Sequence, residues 1–201
     1  MKTGNRSTAA NISWPQIRQE FNESFGYLRD DISRLRESKE AFGYTATLLI
    51  CCTCDCIAWH KDIPEYKVLG SLLPSEQPYP KIAEKMFEAL RNGLAHRFRP
   101  NTLSSGRDQY RFAVDWRSGR HLKTRHGDPN WIFLDLVVMC SGALSAIEDF
   151  QKELKESAAA RSTFNRQHNK KLLTRIEDSA NAEAWKSLMK KLEPHREKEP
   201  E

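Results

Sequence analysis

A mostly α-helical protein, an antiparallel helical bundle with a small β-hairpin and an extra C-terminal helix, is what three features of the sequence predict. Trp14, Ile17, Phe21, Phe25, Leu28, Ile32 and Leu35 recur at three- and four-residue spacing, the period of one helix face. Ala41 to His60 is apolar nearly all round, as a helix at the centre of a bundle must be. Gln109 to Trp116 alternates in the manner of a strand.

Residues 1 to 12 are polar and are expected to form a flexible N-terminus. The first helix starts after Ser13, because Ser13-Trp14-Pro15-Gln16 has the capping-box pattern; its stripe serves as core or dimer seam. Gly43 lies near the junction with the second helix, which ends by Pro64. That helix is long enough to cross a bilayer. Asp55 and three threonines, Thr45, Thr47 and Thr53, together with the lack of flanking aromatic belts, favour a buried central helix and no membrane contact. Residues 61 to 79 hold Pro64, Gly70, Pro74 and Pro78 and read as a link with at most a short helical piece.

Pro80 and Pro100 bound the next helix, whose apolar side is Ile82, Met86, Leu90 and Leu94. After it, Gln109–Trp116 is expected to turn through Arg117-Ser118-Gly119-Arg120 and pair with His121–Arg125 as a hairpin. A loop at Gly127-Asp128-Pro129-Asn130 leads through Trp131–Leu134 to Asp135. Asp135 can cap a helix running to about Glu156 through Leu136, Cys140, Leu144, Ile147 and Phe150. Residues 13 to 157 thus form the helical domain. A more polar helix over 158 to 192, with Phe164, Leu172, Ile176, Trp185 and Leu188 on its apolar side, packs on or extends it, and 193 to 201 form a disordered tail.

The 201 residues, 39% hydrophobic and 29% charged, suit one soluble domain with tails. No signal-peptide pattern opens the chain, so the expected compartment is the cytoplasm. There is no G-x-S-x-G, no Gly-rich phosphate loop, no H-E-x-x-H and no acidic metal-binding set, and no cofactor or metal is expected. Cys51, Cys52, Cys54 and Cys56 crowd into the second helix. Cys52, Cys56 and His60 would share a face there, but zinc spacings require a distant second pair, and small core packing is the stronger reading. His121 and His126 could bind RNA but read more plainly as exposed loop residues, while His168 and His195 have no apparent partner.

Arg91-Asn92-Gly93-Leu94-Ala95-His96 places an arginine, an amide and a histidine within about one and a half helical turns. An imidazole can move a proton near neutral pH, and a guanidinium can hold charge building up on a phosphate, which is the residue set for metal-free RNA cleavage. A histidine at a helix C-terminus is otherwise often a dipole partner. At about 100° per residue, Asn92 and His96 share a face, while Arg91 sits roughly 140° from His96. Asp55 either accepts a hydrogen bond from Arg91 or His96 and orients it, or faces solvent.

Ala89–His96 resembles the Arg-Asn-x-x-x-His signature of the HEPN superfamily (higher eukaryotes and prokaryotes nucleotide-binding), small helical domains that include many ribonucleases. The likeness in layout covers about residues 14 to 156. It implies a homodimer with the two motifs facing at its axis, in which His96 moves the 2'-hydroxyl proton and Arg91 stabilises the phosphorane. Asn92 holds a phosphate oxygen or the histidine, and the products are a 2',3'-cyclic phosphate and a 5'-hydroxyl. The alternative is a non-catalytic module binding nucleotide, RNA or protein. A toxin or defence component, restrained by an antitoxin or nucleotidyltransferase-like partner, is a cellular role compatible with cleavage.

Charge favours RNA as the partner. Between positions 91 and 125, Arg91, Arg97, Arg99, Arg107, Arg111, Arg117, Arg120, Lys123 and Arg125 face only Asp108 and Asp115: nine against two, or +7, in a chain of +5. Phe98, Tyr110, Phe112 and Trp116 are interleaved. Arg97, Arg99, Arg111, Arg117, Arg120 and Lys123 are the expected RNA contacts, against the plainer reading of a solvated hairpin.

Overall fold

The computed structural model describes residues 12–38, 43–72, 79–97, 99–116, 119, 121–125, 128–170, 183 and 187. Among the described residues there are six helices and four strands: α1 Trp14–Ser38, α2 Gly43–Lys61, α3 Glu65–Leu72, α4 Tyr79–Arg97, β1 Leu103–Ser105, β2 Asp108–Asp115, β3 Thr124–Arg125, β4 Asp128–Asp135, α5 Leu136–Glu156 and α6 Ala158–His168. Residues to Asn169 form one compact unit. Of the second unit, from Lys170 on, only Lys170, Glu183 and Ser187 are described, the last two as helical.

Local chemistry sets the helix ends. Gln16 reaches back so that its Oε1 accepts from the Ser13 backbone N–H at 2.7 Å, one arm of the capping box that starts α1. Asp135 caps α5, its Oδ1 accepting from Val137 N–H at 2.9 Å. Ser157 ends α5 and caps α6 in turn, its Oγ accepting from Ala160 N–H at 3.1 Å.

Helix α2 touches each of the other five helices, which is why it is apolar around most of its circumference. Ala46, Ile50, Cys51, Cys54, Ile57 and Ala58 are buried along it. Its buried hydroxyls are satisfied internally: Thr47 donates to the Gly43 carbonyl at 2.8 Å and Thr53 to Leu49 at 2.9 Å. Phe21 and Phe25 of α1 meet Phe150 of α5 and Phe164 of α6 in the core beside it. No described helix is long and apolar enough to cross a membrane.

The sheet departs from the expected hairpin. Its order is β1-β2-β4-β3. The hairpin partner of β2 is β1, joined through Gly106 at φ +61°, a backbone state that glycine adopts without a Cβ clash. The segment His121–Arg125 contributes only β3, which runs along the far side of β4. Strand β4 itself, expected as a loop as far as Asn130, pairs parallel with β2 from Arg111↔Trp131 to Asp115↔Asp135. Parallel pairing needs a long crossover and leaves no turn signature in the sequence. Pro129 lies before the β2 register begins and within the irregular stretch opposite β3, so its missing N–H interrupts no regular ladder pair.

Other expectations also change. Ile82, placed on the apolar side of α4, is 46% exposed, so that side is carried by Ala83, Met86, Phe87, Leu90 and Leu94. The helix expected over 158–192 ends at His168, where Asn169 caps it; residues 1–11, the turn residues Arg117 and Arg120, His126 and residues 171–201, apart from positions 183 and 187, fall outside the described residues.

Candidate functional site

Helix α4 is unbroken through the whole motif. Leu90 and Leu94 fix its rotation by burial, which leaves Arg91 and His96 exposed and Asn92 half-buried. From α2, Asp55 meets Arg91: the guanidinium Nε donates to Oδ2 at 2.7 Å. The hydrogen bond and charge of Asp55, with a smaller contribution from Glu65 of α3, push the Arg91 pKa up and hold the guanidinium positive. Arg91 also lines a cavity of about 510 Å³ with Cys52, Asp55, Trp59 and Glu65, and His96 is not part of its lining. His96 makes no hydrogen bond to any described residue, and its ring is exposed beyond Asn92, one turn away. Within one chain, then, Asp55 and Arg91 are brought together, Asn92 and His96 share a face, and the two pairs point apart.

The glycine of the motif has a structural task. After Arg97 the chain folds back along α4, so that Arg99 N–H donates to the Gly93 carbonyl at 3.4 Å and Asn101 N–H to Ala89 at 2.9 Å. A Cβ on Gly93 would stand 2.3 Å from the Asn101 nitrogen and 2.4 Å from the Arg99 carbonyl oxygen. The return chain thus packs back onto the last turns of α4 and carries Arg99 past the end of the motif.

Of the expected RNA contacts, Arg97, Arg99 and Arg111 line one cavity with Tyr44 and Trp131, two aromatic residues the basic strip did not single out. Arg111 lies over the Trp131 ring, 5.8 Å from its centroid. Lys123 is exposed just before β3. Arg117 and Arg120 lie outside the described residues.

The cysteines are free thiols, with Cys51, Cys54 and Cys140 in the core. Burial pushes Cys51 and Cys56 up to about 12, so neither is a thiolate near neutral pH. Cys56 Sγ lies 3.8 Å from His60 Nδ1, but that nitrogen is engaged with the Cys56 carbonyl at 2.8 Å. Among the described residues no three His, Cys, Asp or Glu side chains gather as a metal site.

Two histidines differ from expectation. His121 is half-buried and its Nδ1 accepts the Asp135 N–H at 3.2 Å, because the crossover into β3 lays it against the N-terminus of α5. His168 is partnered, stacking on Phe164 at 5.8 Å and lying 6.1 Å from the His60 ring.

Comparison of the chain with protein-family models, with curated proteins and with solved structures finds no significant match.

Proposed function

We propose that the chain is a HEPN-like, metal-independent endoribonuclease working as a homodimer, with a toxin or defence role under the restraint of an antitoxin or nucleotidyltransferase-like partner. The observation that carries this reading is the division of labour at the end of α4. Asp55 holds Arg91 in place, while His96 stands exposed beside Asn92.

In the proposed reaction His96 takes the proton of a ribose 2'-hydroxyl, and the 2'-oxygen attacks the adjacent phosphorus. Arg91 stabilises the extra charge on the equatorial oxygens, and Asn92 holds one of them or the imidazole. The bond to the 5'-oxygen breaks and that oxygen takes the proton relayed by His96, leaving a 2',3'-cyclic phosphate and a 5'-hydroxyl. Every group needed is a side chain or the RNA itself. Cleavage of mixed RNA should therefore proceed in EDTA and yield 5'-hydroxyl ends that accept phosphate from a polynucleotide kinase. His96→Ala should lower the rate by roughly 10²–10⁴, the usual worth of a general acid or base, with an unchanged helical signal. Strict dependence on Mg²⁺ or Mn²⁺ would overturn the mechanism.

The Arg91–Asp55 pair also favours a second reading, because a guanidinium engaged by a carboxylate can serve simply to tie α4 to α2. That reading makes the chain a non-catalytic binding module. It predicts RNA or nucleotide binding with no cleavage in any buffer.

A further inference from the structure

We infer that the cavity between the end of α4 and the sheet is a receptor for a nucleoside carrying a terminal phosphate, either a free nucleotide or the 5'-phosphorylated end of an RNA strand. The inference rests on the RNA reading above only for the identity of the strand.

Five backbone segments meet there. Tyr44 comes from the first turn of α2, Arg97 from the last turn of α4, Arg99 and Asn101 from the return chain, Arg111 from β2 and Trp131 from β4. Its volume is about 390 Å³, within the ~300–1,000 Å³ of small-ligand sites. Three arginines, Arg97, Arg99 and Arg111, line it, and no Asp or Glu is among its described lining residues. None of the three forms an ion pair with a described residue, in contrast to Arg91, Arg29 and Arg166. Like charges gathered without a counter-charge among the described residues repel one another, and an anion relieves that repulsion.

Charge balance selects the kind of phosphate. An internal phosphodiester brings one negative charge, whereas a terminal phosphate brings about −1.5 to −2 near neutral pH and presents three oxygens to guanidinium forks. The walls select what the phosphate is attached to. Tyr44 offers an aromatic face for a base, Trp131 carries the Arg111 guanidinium over its ring, and the Asn101 amide can both donate to and accept from a base edge. A phosphotyrosine would supply the ring and the phosphate but no hydrogen-bonding edge for Asn101. Arg99 reaches the cavity because the return chain passes over Gly93, so the motif glycine and the receptor belong to one construction.

The test uses the full chain carrying His96→Ala, so that binding is read without cutting, and its outcome stands apart from whether the wild type cleaves. The probe is a ten-nucleotide single-stranded RNA, fluorescently labelled at its 3' end and bearing either a 5'-phosphate or a 5'-hydroxyl. Anisotropy is followed at about 150 mM salt, where general phosphate contacts are weakened. The 5'-phosphorylated strand should bind at least tenfold tighter. Arg99→Ala and Tyr44→Ala, both at exposed positions, should each remove most of that difference, with thermal melts checking that the fold is kept. Displacement by adenosine 5'-monophosphate but not by adenosine shows that free nucleotides share the site. Failure of the monophosphate to displace the strand assigns the site to strand ends alone. Equal affinity for the two ends, a phosphate preference that survives Arg99→Ala, or tighter competition by phosphotyrosine than by adenosine monophosphate overturns the inference.

Discussion

His60 shows how much one side chain owes to its surroundings. It is 6% exposed, stacked against Phe164 with ring centroids 4.6 Å apart, and faced by Phe25 and His168. Burial lowers its pKa from 6.5, against the opposing hydrogen bond to the Cys56 carbonyl, and His168 lowers it further. His121 is lowered by burial as well, with Asp135 opposing. Below pH 6.5 the unfolded chain therefore takes up these protons before the folded one does. Their contribution to stability is complete above that pH and declines as pH falls through it. The melting temperature should drop between pH 7.5 and pH 5.5, and His60→Phe should flatten the drop; a wild-type melting temperature that rises on acidification would contradict the assignment. None of this was legible in the sequence, where His60 and His168 belong to different segments and His121 reads as an exposed loop residue. The Asp55–Arg91 contact was legible as one of two readings, since a carboxylate on an apolar helix needs a partner.

At the scale of elements, agreement follows whether the signal is local. Helices α1 and α5 carry their own starts, Ser13 with Gln16 and Asp135, and their apolar stripes are the faces they bury. The alternation of β2 is real, but its neighbour β4 is set by a parallel crossover that no turn residue announces. Gly93 is the position where the returning chain leaves no room for a Cβ on α4. Two effects compete in Gly93→Ala. Helix propensity favours alanine by about 1 kcal/mol, while overpacking costs typically 1–3 kcal/mol. Contacts of 2.3–2.7 Å against three backbone atoms place this site at the costly end, so the variant should be less stable by about 1–2 kcal/mol, read from the urea midpoint. A stabilised variant would mean that the return chain can move aside.

On the whole molecule, the motif sends its groups to different sides. Arg91 turns to α2 and Asp55, His96 stands out with Asn92, and Arg97 belongs to the cavity beside the sheet. One helix cannot bring residues roughly 140° apart onto a single phosphate unless a long side chain swings round, and Arg91 is held where it is. A two-fold axis solves the problem, because each copy then supplies one group to the other's site. The proposed dimer can be tested by complementation. Arg91→Ala and His96→Ala homodimers should each be inactive. Mixed in equal amounts and allowed to exchange subunits, half the dimers become mixed, and each of those has one site with an intact arginine from one chain and an intact histidine from the other. Activity should return to roughly a quarter of the wild-type level. The half-site arithmetic makes the figure diagnostic: with exchange confirmed by differently tagged chains, no recovery would show that Arg91 and His96 do not act in trans as a single pair.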